Sequence, residues 1–402
     1  MRADFHLQQE GLVMKNWTIG AGITLGAFLM GSTAFAQVTP EDLWAKFQSF
    51  SAAAGQTVTT QSVARNGDTL EIRGLVTGVD DEFTTVTQTI AEVNLKDNGD
   101  GTVGITMSDT IPMTMTTKGE PVSTSNFTVV QGGLAMTASG SADAPFIDFT
   151  AASMSVTGTA TDPSGTTDIN VAMSDMAGGY AFTENDFQYN FTAGAGNIGI
   201  GNPTVPFPIN IGFGGMGFDM KFPMKTSAEP VPFTFIMKLQ EFTLPPEVWG
   251  MADPTGQLPQ DPATLIIDTA GSIRLLEDFT TKPAPGAIPV PPELHSLSIR
   301  EMQLKMVGAD LTGNGDLTFD LADTTSFGGI PAPTGALNFA LTGGNGLLDK
   351  LAAMGLVPED QLMGVRMMMG MFATMATDGS DSMTSTVEFK DKGLFVNGQQ
   401  LQ

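Results

Sequence analysis

The chain is 402 residues long, with 43 Asp plus Glu against 18 Lys plus Arg, no Cys and a net charge of −25. Such an anionic excess repels phosphate backbones and anionic headgroups and argues against nucleic-acid binding, while the missing Cys excludes disulfides, thiolate metal sites and Cys nucleophiles. At 41% hydrophobic residues the chain is able to bury a large core, which excludes global disorder.

In chain order, an address comes first. Met14-Lys15-Asn16 opens a short basic segment, residues 17–30 are apolar, and small residues end in Ala34-Phe35-Ala36 ahead of Gln37. This is the layout of a secretory signal peptide with an Ala-x-Ala cleavage site. The apolar run is shorter than the roughly 20 residues needed to span a bilayer, so it reads as a signal rather than an anchor. Residues 1–13 carry Asp4 and Glu10 ahead of the basic segment and fit no signal, which places the start of translation at Met14. The expected mature chain, 37–402, is exported and has no transmembrane segment.

Thr39-Pro40-Glu41-Asp42 reads as a helix start, with Thr as N-cap, Pro at the first helical position and acids on the positive dipole end. Leu43, Phe47 and Phe50 follow at helical spacing, and Gly55 is the stop. From about residue 56 to 191 the texture is Thr, Val, Ile, Ser and Phe broken by Gly, Asn and Asp. Asn66-Gly67 and Asn98-Gly99 suit tight hairpins, so this stretch reads as antiparallel sheet.

The middle carries the clearest pattern. Val205, Phe207, Ile209, Ile211 and Phe213 occupy odd positions; after Gly214-Gly215 the apolar set moves to Met216, Phe218, Met220, Phe222 and Met224. After Glu229-Pro230 it returns to Val231, Phe233, Phe235, Met237 and Leu239. Period two in three runs predicts a three-stranded meander with one apolar face. Residues 203–292 hold 16 of the 24 Pro, which places these strands near an edge or makes them irregular. Phe207, Phe213, Met216, Phe218, Met220, Phe222, Met224, Phe233, Phe235 and Met237 are the candidate ligand-binding residues, because Phe and Met offer large, adaptable apolar area.

A loop over 245–262, a strand over 265–276 and a stiff proline connector over 283–292 follow. A hairpin with its turn near Gly313-Asn314-Gly315 and a strand over 337–341 come next. Asn345 reads as the cap of a helix to Met354, Pro358 begins a second helix to about Met375, and strands over 384–390 and 394–401 close the chain. The fold class is mainly β: long antiparallel sheet with a short N-terminal helix and a C-terminal helical pair, groove-like or sandwich-like. The organisation is 1–36, extension and signal; 37–193, N-terminal β-rich half; 194–262, Gly/Pro-rich meander and loop; 263–402, C-terminal β-rich half with two helices. One elongated sheet and two β-rich halves both fit.

Each chemical motif fails at a required position. Gly194-Ala195-Gly196-Asn197-Ile198-Gly199 matches the dinucleotide fingerprint, but Gly201, Pro203, Pro206 and Pro208 forbid the helix that must follow. Asp310 to Gly315 imitates a calcium loop, but position 12 is Leu321 rather than a bidentate acid. His295 is the one imidazole of the mature chain and cannot furnish the usual zinc ligand sets, and no G-x-S-x-G elbow is present. The sequence therefore predicts neither a metal nor a nucleotide cofactor, no catalytic residue and no enzyme activity. Met is abundant, 25 of 402, and concentrates in Met363, Met367, Met368, Met369 and Met371 of the second C-terminal helix. That helix reads either as buried against the sheet or as a deformable surface for apolar partners.

PPEVWGMADPTGQLPQDPATLIID (245–268), MQLKMVGADLTGNGDLTFD (302–320), FGGIPAPTGALN (327–338) and GGNGLLDKLAAMGLVPEDQLMGVRMMMGMF (343–372), with VTPEDLW (38–44) and KDNGDGTVGITMSDTIPMT (96–114), resemble a secreted family catalogued as domain of unknown function 2125. The family comes from Gram-negative bacteria, so the resemblance implies a periplasmic location; it carries over no residue role. Two functions are expected: a non-catalytic periplasmic binding protein for lipid or another apolar ligand, or a structural or assembly factor of the cell envelope that binds another protein. If the N-terminal reading is right, the intact mass of the secreted protein corresponds to a chain starting at Gln37. Retention of residues 14–36 would make the protein membrane-anchored.

Overall fold

The structure, a computed structural model, describes residues 37–53, 55–119, 122–163, 165–182, 185–205, 207–279 and 290–402. The signal segment and most of the proline connector lie outside these residues. Helix α1 (Pro40–Ala53) starts as its sequence requires: the Asp42 N–H donates to Thr39 Oγ1 (3.2 Å), and the Thr39 N–H donates to Asp42 Oδ2 (3.2 Å). Two amide donors at the helix start are thereby satisfied reciprocally.

Strands β1 (Thr57–Thr59) and β2 (Ser62–Asn66) pair along one side of β3 (Thr69–Asp80), and β4 (Thr84–Asp97) along the other. The next two passes are each split in two. β5 (Val103–Met107) continues as β6 (Thr110–Thr117), and β7 (Ser123–Gly132) continues as β8 (Ala135–Gly140). β9 (Pro145–Asp162) and β10 (Gly165–Phe182) form a long hairpin, followed by the split passes β11 (Asp186–Ala193) with β12 (Gly196–Gly201) and β13 (Ile209–Phe213) with β14 (Gly215–Pro223). β15 (Val231–Phe242), the short helix α2 (Pro246–Ala252), β16 (Ala263–Arg274), β17 (Glu293–Met306), β18 (Ala309–Asp320) and β19 (Ala332–Thr342) come next. Helices α3 (Gly344–Ala353) and α4 (Glu359–Phe372) precede β20 (Thr374–Met375), β21 (Ser382–Lys390), β22 (Gly393–Val396) and β23 (Gln399–Gln400). All the strands belong to one antiparallel sheet, and each pass pairs with the next pass along the chain. Among the described residues no pairing joins β2 to β22 or β23, so hydrogen bonds do not close the sheet on itself. No helix among the described residues is long and apolar enough to cross a membrane.

Several sequence expectations are corrected. The parity change at Gly214-Gly215 is a break within one pass, not a hairpin: β13 and β14 run on in the same direction, so the three apolar runs occupy two passes. Of the two readings of the proline-rich strands, irregular holds, with the break between β13 and β14 and the register shift at Leu239/Phe242, while edge does not: β14 lies between β11 and β15, because the prolines fall where strands begin and end. The turn expected at Gly313–Gly315 is at Val307-Gly308 instead, where both residues take positive φ. Gly313 lies within β18 because a Cβ there would sit 2.9 Å from the Phe339 ring. Asn345 does not cap α3. Gly343 precedes the helix in a left-handed conformation, and the distant Asp381 carboxylate accepts from the amides of Asn345 (3.2 Å) and Gly346 (2.8 Å).

The densest core lies where α1 rests on the first strands. Leu43, Trp44 and Phe47 meet Leu70, Ile72, Leu95, Val103, Ile105 and Ile147, each buried and contributing about 1.5–3 kcal/mol if a full side chain is counted. Thr77 and Gln88 face each other across β3 and β4 inside this core and border a cavity of about 40 Å³. Thr77 Oγ1 and Gln88 Oε1 are buried with no hydrogen-bond partner. A buried hydroxyl without a partner is destabilising relative to a methyl group of similar shape. Thr77→Val should therefore raise the stability by about 1 kcal/mol, read from the denaturant midpoint at constant m-value. A decrease would show that the hydroxyl is satisfied in solution.

Candidate functional site

Register decides which residues share a face, because side chains alternate along a strand. One row of directly paired residues runs from Leu70 of β3 through Leu95, Ile105, Met136, Phe149, Gly178 and Phe191. It continues through Phe218, Met237, Ile267, Met302, Gly313 and Phe339 to Ser385 of β21. A neighbouring row contains Tyr180, Tyr189, Met220, Phe235, Thr269, Ile299, Gly315, Leu337 and Val387. No position in either row carries a charge. The row between them on the opposite face contains Asn190, Asp219, Ile236, Asp268 and Glu301, and the next row on that face is Gln188, Lys221, Thr234, Ala270, Ser298, Asp316, Ala336 and Glu388; apart from Ile236, both are polar or small. Ion pairs lie on that polar side: Arg300 Nε reaches Asp268 at 2.6 Å, and Lys238 reaches Glu301 at 3.5 Å.

Glycines set the relief of the apolar face. Phe149 and Phe191 both pair with Gly178 and stack over it with ring centroids 6.4 Å apart. A Cβ at Gly178 would lie 2.6 Å from the Phe149 ring. Phe213 lies over Gly196, Phe233 over Gly271 and Phe127 over Gly158 in the same way. Rings opposite a residue without a side chain lie down on the sheet, which makes a broad and shallow apolar floor. Tyr189, Phe218 and Phe235 extend that floor, with centroids 5.8 Å and 5.6 Å apart.

A crease crosses the floor. The inward positions skip by three residues instead of two at Ile72/Leu75, Ile90/Val93, Gln131/Leu134, Ala151/Met154, Met173/Met176, Ala193/Gly196, Phe213/Met216 and Leu239/Phe242. Gly74, Gly133, Asp175 and Glu241, all with positive φ, lie on this line. Such bulges bend a strand, and adjacent bulges bend the sheet. Ala151, Met176, Ala193 and Phe213 on the crease are buried, whereas Phe218, Phe233 and Phe235 to one side are half-buried. The sheet is thus folded towards its apolar face. Desolvation there pushes the phenols of Tyr180 and Tyr189 above their ordinary values.

The floor is covered at both ends. α1 covers the first strands, and α4 lies over β18, β19 and β21, leaving an open-mouthed cavity of about 470 Å³ lined by Leu311, Phe339, Leu341, Val365, Met369 and Met383 among others. Of the candidate residues expected from sequence, Phe213 lies on the crease and Met216, Phe218, Met220, Phe222, Phe233, Phe235 and Met237 lie on the floor. Phe207 precedes β13 and Met224 follows β14, both half-buried and outside the strands. None of the ten lines the space beneath α4. Sequence reading missed the rest of the floor, including Phe191, Ile267, Met302 and Phe339, although the alternation in 265–273 and the opposed Gly and Phe were visible.

α4 is neither wholly buried nor apolar on a single side. Leu362, Val365 and Met369 point inward, while Met363, Met367, Met368 and Met371 are exposed. His295 Nε2 lies 3.6 Å from Glu293 Oε2, and the Arg274 guanidinium, donating to Glu293 at 2.6 Å, holds that carboxyl below its usual range. Among the described residues no three His, Asp or Glu side chains gather as a metal-binding group.

Because a Cβ at Gly178 would press on the Asn190 carbonyl as well as on the Phe149 ring, Gly178→Ala should cost about 1–3 kcal/mol through overpacking, measured by urea unfolding. A cost near zero would mean that both stand free of residue 178. Compared with protein-family models, curated proteins and solved structures, the chain matches none.

Proposed function

We infer that the protein is a non-catalytic, exported binding protein of the periplasm that holds a lipid or another apolar molecule on the floor of its creased sheet. The observation that carries this reading is the half-buried, charge-free row from Phe191 through Phe218, Met237, Ile267 and Met302 in a chain of net charge −25. A contiguous apolar surface left half in water is what a binding site for an apolar partner requires. Rings laid flat over glycine favour a long flexible chain over a compact polar ligand, because the floor offers area and few hydrogen-bond partners. Met216, Met220, Met237 and Met302 add adaptable contacts. The resemblance to the secreted family, and the signal layout of residues 14–36, support the location.

The test uses delipidated protein and a fluorescent fatty acid. Wild type should bind it, and Phe218→Ala and Phe235→Ala should each weaken binding. Each variant should lose well under the about 3–5 kcal/mol that truncation of a fully buried Phe costs. Loss of that full amount in both variants, together with no capture of fatty acid by wild type, would make this face ordinary core and overturn the reading.

A further inference from the structure

We propose that the solvent face of α4 is a thioether site for a soft monovalent cation, Cu(I) in kind, with Ag(I) as its redox-inert counterpart. The helix is anchored through Leu362, Val365 and Met369, spaced three and four residues apart; Val365 and Met369 wall the cavity over the sheet. At 100° per residue, Met363, Met367 and Met371 fall on the opposite side, and they are 73%, 64% and 61% exposed. Their spacing makes two overlapping i,i+4 pairs, Met363 with Met367 and Met367 with Met371, each with Cβ atoms about 5–6 Å apart. Three rotatable bonds let the two thioethers of a pair swing onto one ion.

A second observation concerns glycine. Gly364 and Gly370 flank this stripe inside the helix, where Gly is the poorest former after Pro. A Cβ at either would meet nothing within 4 Å, so no packing requires them. Their absent side chains leave both flanks of the thioethers unobstructed. Charge also suits a cation. The last turn of α4, which bears the negative end of the helix dipole, contains no basic residue, and Arg366 is paired with Asp349 of α3. The chain as a whole carries −25. Thioether sulfur is a soft ligand that selects Cu(I) over calcium, magnesium or zinc, and the chain has no Cys to compete. No ligand proton is released, so affinity should be flat between about pH 5 and pH 8, unlike that of a thiolate or imidazole site.

The test is titration of the full mature chain with silver nitrate in chloride-free buffer, followed through [methyl-¹³C]methionine resonances. The methyl signals of Met363, Met367 and Met371 should shift together and saturate at one ion, with Cu(I) competing. Met367→Leu breaks both pairs while keeping an apolar helix-forming side chain. It should weaken binding at least as much as losing an outer-shell partner of a metal does, about 10–100-fold. Met363→Leu and Met371→Leu leave one pair each and should weaken it less. Met369→Leu, on the side that faces the cavity, should leave it unchanged. Circular dichroism of each variant confirms that α4 persists. Unshifted methyl signals for the stripe, or binding unaffected by Met367→Leu, would overturn the proposal and leave the stripe as a purely apolar surface.

Discussion

Pleat parity is the constraint on which the rest of this molecule depends. A strand that gains one residue turns every later side chain to the other face. Here pass after pass slips by one residue, and adjacent passes slip opposite one another: Ala151/Met154 against Met176/Met173, then Ala193/Gly196, then Phe213/Met216. Because the slips are matched across the hydrogen-bond ladder from β3 to β15, and local bulges at Leu239/Phe242 and Ile299/Met302 absorb the register shifts against β16 and β18, the apolar set stays on one side from Leu70 to Phe339. An unmatched slip would have put Phe218 or Phe235 among Lys221 and Thr234. The same matched slips bend the sheet, so the device that keeps the face apolar also shapes it. On the crease the small Ala151 and Ala193 pack with Met154, Met173, Met176 and Met216, whose flexible thioether chains fill the bend.

Glycine and phenylalanine divide the remaining work. A bare glycine in a strand loses packing and conformational entropy. A ring from the adjacent strand restores apolar contact over Gly158, Gly178, Gly196, Gly271 and Gly313. The result differs from a sandwich interior, where upright side chains interdigitate with a second sheet. Flat rings bury themselves against their own sheet and leave their upper faces free, which is why Phe233 over Gly271 is half-buried, whereas Phe218 and Phe235 meet edge to face at 5.6 Å and shield each other in part.

Much of this was legible in the letters, and the limits were physical. Period-two alternation revealed the strands and which of their residues share a face, and Thr39 with Asp42 revealed the first helix because a capping box is local. Gly214-Gly215 was ambiguous, since a bulge and a hairpin need the same residue types. Gly313 and Gly315 read as a turn, although their purpose is clearance under Phe339 and against the Ala336 carbonyl of another strand. The α3 cap comes from Asp381, far along the chain, and no local rule anticipates it. A helix apolar all round, like α4, does not declare which side faces the sheet; only Val365 and Met369 meeting Leu341 and Met383 decides that.

The acidic excess and the apolar floor also explain each other. An open apolar face of this extent invites copies of the chain to stack face to face. Every copy carries −25, and the polar side of the sheet holds charges such as Asp268, Glu301 and Glu388 a strand thickness away from the floor. Two such sheets stack about 10 Å apart, so the charges on their outer faces stay beyond the Debye length of about 8 Å, and it is the net charge of each whole copy that opposes their approach. A neutral chain-like ligand meets no such repulsion and gains the full benefit of leaving water. Charge thus acts against stacking of the apolar faces on one another.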